Sequence, residues 1–204
     1  MTQMKPNVII ATDNLLLTDY AKTANGLIRS SKRFDVLAII DEKNKNTDAG
    51  ETLDGTFRNI PVIASIDEAI KTFDTIDYLV IGVATIGGVL SNTLLNVISE
   101  AITKGIGIVN GLHDQLNERK DIVLLAEIAQ VELIDIRKPK SIKEMHFWTG
   151  DIFKVDIPII AFLAMDCAIG KRTTATLVVE ECLKKNMRAE MIYTGQTGWM
   201  QGNK

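Results

Sequence analysis

Six short runs of aliphatic and β-branched residues, four of them followed by a stretch of helical pattern, limit what this chain can fold into. They occupy 7–11, 35–40, 60–63, 78–83, 106–109 and 131–136, with cores such as Val8, Ile9 and Ile10 or Val80, Ile81 and Val83. Continuous apolar runs of this length fit strands covered on both faces, the environment of a parallel sheet. Pro61 lies inside the third run and suggests an edge strand or a strand start, because proline cannot donate to a ladder.

Helical signals fill the gaps. The pattern predicts helices over 19–30, from Ser65 to about Phe73, from Ser91 to Lys104, and over 121–130. Ser65 and Glu68 have the spacing of a capping box, Ser91 is an N-cap candidate, and Gly105 supplies a stop. Parallel neighbours need crossover connections, so the alternation predicts an α/β, Rossmann-like doubly wound sheet over 1–140. Residues 141–154, with Phe147, Trp148 and Gly150, read as a linker or interdomain surface. A new strand is expected over 157–163, then a helix over 171–185 and a strand over 189–193. Those elements would open a partial P-loop domain over 155–204. About 50 residues is marginal for an independent core, so the expectation is a chain cut short within a longer protein.

Composition narrows the function. The net charge is -3, whereas a nucleic-acid binder usually shows a basic excess or stripe. Pairs such as Lys32-Arg33, Arg137-Lys138 and Lys184-Lys185 read as solvated surface. No apolar run approaches the ~20 residues of a membrane span, and the amino terminus lacks a signal-peptide core. The two cysteines, Cys167 and Cys182, have neither metal-ligand nor disulfide spacing. A reduced, cytoplasmic protein acting on a small molecule is expected, with no metal, nucleic-acid or membrane partner; a homo-oligomer is compatible with the sequence.

The sharpest local feature is the run Asp166, Cys167, Ala168, Ile169, Gly170, Lys171, Arg172, Thr173 and Thr174, between a predicted strand and a predicted helix. That is the setting of a phosphate-binding loop, where helix-start amides and a lysine face an anion. Gly170 lets the backbone approach closely. The run departs from the common pattern: Ala164 stands where a first glycine is expected, the loop is one residue longer, and Arg172 follows Lys171 where Ser or Thr would hold magnesium. Arginine there suits a metal-free phosphate. A plain strand-to-helix turn remains the alternative. Cys167 in the loop could carry an acyl group, or be a small loop residue.

This run, with Thr194, Gly195, Gln196, Thr197, Gly198 and Trp199 downstream, resembles a bacterial and archaeal two-domain family, Rossmann-like in its first half and P-loop in its second. The family includes D-glutamate N-acetyltransferases. Gly26 to Arg29, Ile60 to Val62, Ile81 to Ala84, Gly111 to Asp114 and Asp135 to Pro139 agree as well, so the likeness covers nearly the whole chain. Members continue well past position 204. The resemblance implies acetyl transfer from acetyl-CoA to a D-amino acid, D-glutamate being the best match. The phosphate loop also resembles that of dethiobiotin synthetase, which leaves an ATP-dependent reaction with magnesium as the alternative. A third reading is an inactive ligand-binding remnant. The first domain has a fold-level likeness to CoA-binding domains of acyl-CoA ligases.

Acetyl transfer to an amine needs a base. His113, with Asp114 beside it, follows the fifth strand, where open α/β sheets place ligands; a loop histidine bonded to backbone is the alternative. His146, beside Phe147, reads as an interface residue. Ala84, Thr85, Ile86, Gly87 and Gly88, after the fourth strand, form a candidate anion or substrate loop; plain turn chemistry is the alternative. Asp41 ends the second strand, where a ribose-binding acid often sits, but no glycine turn follows the first strand, which argues against NAD.

Overall fold

The computed structural model describes residues 5–165, 169–193 and 195–202. Six parallel strands form one sheet: β1 (Asn7–Ala11), β2 (Asp35–Ile40), β3 (Val62–Ile63), β4 (Tyr78–Ile81), β5 (Gly107–Asn110) and β6 (Leu133–Asp135). Their order is β3-β2-β1-β4-β5-β6. The order reverses beside β1, which pairs with β2 on one side and β4 on the other. The helices of this part are α1 (Lys22–Arg29), α2 (Ala49–Asp54), α3 (Ile66–Thr72), α4 (Asn92–Thr103) and α5 (Lys120–Ala129). The doubly wound sheet is present.

Alternation along each strand divides the core in two. Ile9, Ala11, Ala38, Ile40, Leu79, Ile81 and Ile108 face α3, α4 and α5, meeting Ile66, Leu94, Ile98, Ile102 and Ile122. Val8, Ile10, Ile39, Val80 and Val109 face the other way, onto Ala24, Leu27 and Ile28 of α1 and Ala49 of α2. The largest fully buried side chains are all isoleucine or leucine. Such a core draws its stability from aliphatic burial, at roughly 1.5–3 kcal/mol per side chain fully removed from water.

Helix ends follow their sequence cues with one variation. Ser91 accepts from the Leu94 amide at 3.0 Å, and Gly105 follows α4 with φ 77°. Ser65 accepts from the Glu68 amide, but the Glu68 carboxylate reaches back to the Ala64 amide at 2.9 Å, one residue before the cap. The sequence reading missed α2. Asp48 starts it, accepting from the Gly50 and Glu51 amides, and Gly55 ends it at φ 75°. At β3 only Val62 and Ile63 pair, on the edge of the sheet, as Pro61 requires.

The chain separates into two compact units, one holding the sheet and residues 192–204, the other residues 138–191. In the second unit the expected strands over 157–163 and 189–193 are not formed. Ile157, Ile159, Ile160 and Leu163 are 68%, 70%, 69% and 87% exposed, so the apolar character of the run is real but unburied. A strand needs a paired edge for its amides and carbonyls, and no described residue offers one to either run. Helix α6 (Lys171–Lys184) is formed. The 141–154 stretch contains two short turns, Ile142–Glu144 and Asp151–Lys154, with Trp148 edge-on to Phe153.

Residues 195–202, within the stretch that the sequence assigned to a partial P-loop domain, pack with the sheet. Helix α7 (Gln196–Gln201) buries Met200 completely among Val80, Val109 and Leu27. Thr197 meets Thr23 hydroxyl to hydroxyl at 3.1 Å, Gln201 donates to the Gly26 carbonyl at 2.7 Å, and Arg33 stacks over Trp199 at 4.0 Å. Replacing Met200 with alanine should therefore cost ~2–5 kcal/mol in urea unfolding. Met187→Ala, at a side chain 57% exposed, should stay within about 0.5 kcal/mol. Equal effects would show that α7 does not dock.

Candidate functional site

Two places in the fold carry the residues that sequence singled out. The first is the start of α6. Gly170 is its N-cap in the left-handed region, at φ 92° and ψ 5°. A Cβ on Gly170 would meet nothing within 4 Å, so conformation alone demands glycine. Lys171 and Arg172 form the first turn and are half-buried, with Thr173 and Thr174 exposed after them. No side chain caps this end and no acid sits in its first turn. The Thr174 hydroxyl donates to the Gly170 carbonyl at 3.0 Å, closing the turn on itself. Asp166, Cys167, Ala168 and Thr194 lie outside the described residues.

The second place is the carboxyl edge of the sheet. His113 lies in the loop after β5, exposed to solvent, and its amide donates to the Gly88 carbonyl at 3.1 Å. The Asp114 amide shares that carbonyl at 3.0 Å. Gly87 and Gly88 are both left-handed, at φ 69° and 68°. A Cβ on Gly88 would lie 2.6 Å from His113 Cδ2 and 2.9 Å from its backbone nitrogen, so the two loops can touch only through a glycine.

The Asp114 carboxylate turns away from His113. It accepts two hydrogen bonds from Arg119, at 2.8 and 3.3 Å, and one from the Leu90 amide at 3.2 Å. The Arg119 hydrogen bonds hold its pKa below the usual aspartate value against the opposing effect of burial, with the Leu90 amide and the Arg119 charge adding to the lowering. Asp114 thus stays ionised at neutral pH and anchors the loop that carries His113.

Sequence reasoning missed the residues around this loop. Arg137, read as surface, donates from Nε to the Gly111 carbonyl at 2.8 Å and from Nη2 to Gln196 Oε1. Gln196 is 9% exposed and packs on the Gly111 backbone, where a Cβ would lie 2.7 Å from its Cγ. Lys22 opens α1 on the same rim. Arg137 and Gln196 stood inside the runs quoted for the resemblance, but nothing in their spacing announced that they would meet.

Asp41 has a structural task. Its Oδ2 accepts from the Thr12 hydroxyl at 2.7 Å and the Leu16 amide at 3.0 Å, and its Oδ1 from the Asn44 amide and side chain. A residue holding a dinucleotide ribose would need those oxygens. Among the described residues, no group of three or more His, Cys, Asp or Glu side chains could hold a metal, and no helix is long and apolar enough to cross a membrane.

Family models match both halves. One, a domain of unknown function described as the DUF1611 amino-terminal Rossmann-like domain, matches residues 42–139. The second, the DUF1611 carboxy-terminal P-loop domain, matches 146–204. The chain belongs to the DUF1611 family. A crystal structure of a DUF1611 family protein from Anabaena variabilis is 25% identical, with a TM-score of 0.86, covering 97% of this chain and 55% of that one. A Pseudoalteromonas protein named D-glutamate N-acetyltransferase is 35% identical over 119 residues, 58% of this chain and 35% of its own. One of the same name from Tritonibacter scottomollicae is 31% identical over 120 residues, 59% of this chain and 35% of its own. The matched stretch thus spans about a third of each curated relative.

The Asp114 anchor makes a pH prediction. A carboxylate with a lowered folded pKa contributes stability that is complete above its unfolded value and lost as pH falls through the folded one. Asp114→Asn should cost ~1–2 kcal/mol near pH 7, in urea unfolding, and the deficit should shrink below about pH 4. A deficit constant with pH would rule out the ion pair as its source.

Proposed function

We propose that this DUF1611 chain serves acetyl transfer from acetyl-CoA to the amine of a D-amino acid, with D-glutamate as acceptor. One observation carries the reading: the two curated relatives, at 35% and 31% identity, are both named D-glutamate N-acetyltransferase.

The start of α6 supports a phosphate-bearing donor. Lys171 and Arg172 occupy a first turn with no acid and no side-chain cap. Cations there oppose the helix dipole by ~0.3–1 kcal/mol each. A bound anion reverses that sign, turning an unfavourable helix end into a favourable one. CoA carries a pyrophosphate and a 3'-phosphate. Arg172, in place of a magnesium-binding hydroxyl, favours a phosphate held by charge and hydrogen bonds, which selects CoA over Mg-ATP.

In this reading His113 takes a proton from the acceptor ammonium, freeing the nitrogen lone pair. The nitrogen attacks the thioester carbonyl carbon, a C–N bond forms, the C–S bond breaks, and the sulfur leaves with the electron pair and takes up the second proton that the nitrogen sheds in becoming an amide. Asp114 is a positioning residue, acting through its hold on the His113 loop.

The test is thiol release from acetyl-CoA in the presence of D-glutamate, with the Pseudoalteromonas relative as positive control. His113→Ala should lower kcat by on the order of a hundredfold. Lys171→Ala should raise the KM for acetyl-CoA by roughly tenfold, the loss of one charge-assisted contact. ATP hydrolysis without thiol release would overturn the proposal.

A further inference from the structure

The loops after β4, β5 and β6, the start of α1 and the start of α7 line an open cleft of about 340 Å³. Ligand pockets run from ~300 to 1,000 Å³, so this one sits at the small end and suits a molecule of amino-acid size. It is too small for a dinucleotide. Its position is the carboxyl edge of the sheet, over the ends of β4, β5 and β6, where open α/β sheets place ligands.

The lining has one sign. Its charged side chains are Lys22 and Arg137 and none is acidic, in a chain whose net charge is -3. The nearby carboxylates are turned elsewhere: Asp114 to Arg119, and Asp135 to Asn110, Leu116 and Asn117. The Lys22 ammonium makes no hydrogen bond or ion pair among the described residues. Arg137 has five N–H donors, of which the Gly111 carbonyl and Gln196 take two, leaving three. Those three sit on a fork fixed by the other two bonds. Gln196 is nine-tenths buried and gives its oxygen to Arg137. Its amide nitrogen makes no bond among the described residues, and it is not sealed from the cleft, since among those residues the fully buried unpaired side-chain atom is Asn25 Oδ1.

A rigid fork, an amide donor and an unpaired ammonium around a small cleft match a planar two-oxygen acceptor. We infer that this cleft binds the carboxylate of a small acidic metabolite through Arg137, Gln196 and Lys22. Its naming as the acceptor amino acid rests on the acetyl-transfer reading; the carboxylate site itself does not.

Glutarate tests it, having two carboxylates and no amine to acetylate. Calorimetric titration of the full chain should show saturable binding, with Kd raised about tenfold by Lys22→Met and by Arg137→Ala. Arg137 also steadies α7, so Arg137→Ala could loosen the fold. Lys22 carries no such bond, and the Lys22→Met variant should melt at the wild-type temperature while binding glutarate more weakly. Unchanged glutarate affinity in Lys22→Met, or no glutarate binding by the wild type, overturns the site. Inorganic phosphate binding as tightly as glutarate, with the same sensitivity to both variants, overturns its assignment to carboxylates. Glutarate binding lost in Lys22→Met, alongside absent D-glutamate acetylation, would remove the acetyl-transfer reading and leave the cleft standing.

Discussion

A parallel sheet has two apolar faces, and each must be covered or its strands are left wet. Helices α3, α4 and α5 close one face of this sheet. The connections after β1 and β2 place only α1 and α2 on the other, leaving Val80 and Val109 without cover. Helix α7 closes that gap, with Met200 fully buried against both. The rest of the site geometry depends on that docking. The same helix presents Gln196 to the Gly111 backbone and to Arg137, so the burial of one methionine also sets one wall of the cleft.

The acidic residues of this part work mainly as anchors for backbone. Asp48 illustrates the balance: burial pushes its pKa up, but hydrogen bonds from the Glu51, Arg58, Ile60 and Gly50 amides hold it lower. Asp41 fixes the loop after β1, Asp114 the loop after β5, and Asp135 the turn before α5. Carboxylates spent inward in this way leave the cations Lys22 and Arg137 to set the field at the carboxyl edge of the sheet. An overall acidic protein thereby keeps a cleft suited to an anion.

In the second unit, local chemistry and long-range pairing separate. Gly170 and the helix after it form as their residues dictate, because a left-handed glycine and the i to i+4 bonds of a helix are local matters. The apolar residues of 157–163 cannot become a strand alone, since strand formation is a pairing event. Their exposure is the physical counterpart of that missing pair.

The sequence alone determined the alternation of strands and helices, the division of each strand into two faces, the caps at Ser65 and Ser91, and the glycine-lysine turn. All of these are set by neighbours within a few positions, where periodicity and backbone preference act. The tertiary structure decided which carboxylates are anchors, that Asp114 faces Arg119 and not His113, and that α7 returns to the sheet. It also decided that Arg137 and Gln196 meet and line one cleft with Lys22, although they lie far apart along the chain. Their meeting depends on strand order and on which face a helix covers, and those follow from the packing of the whole core.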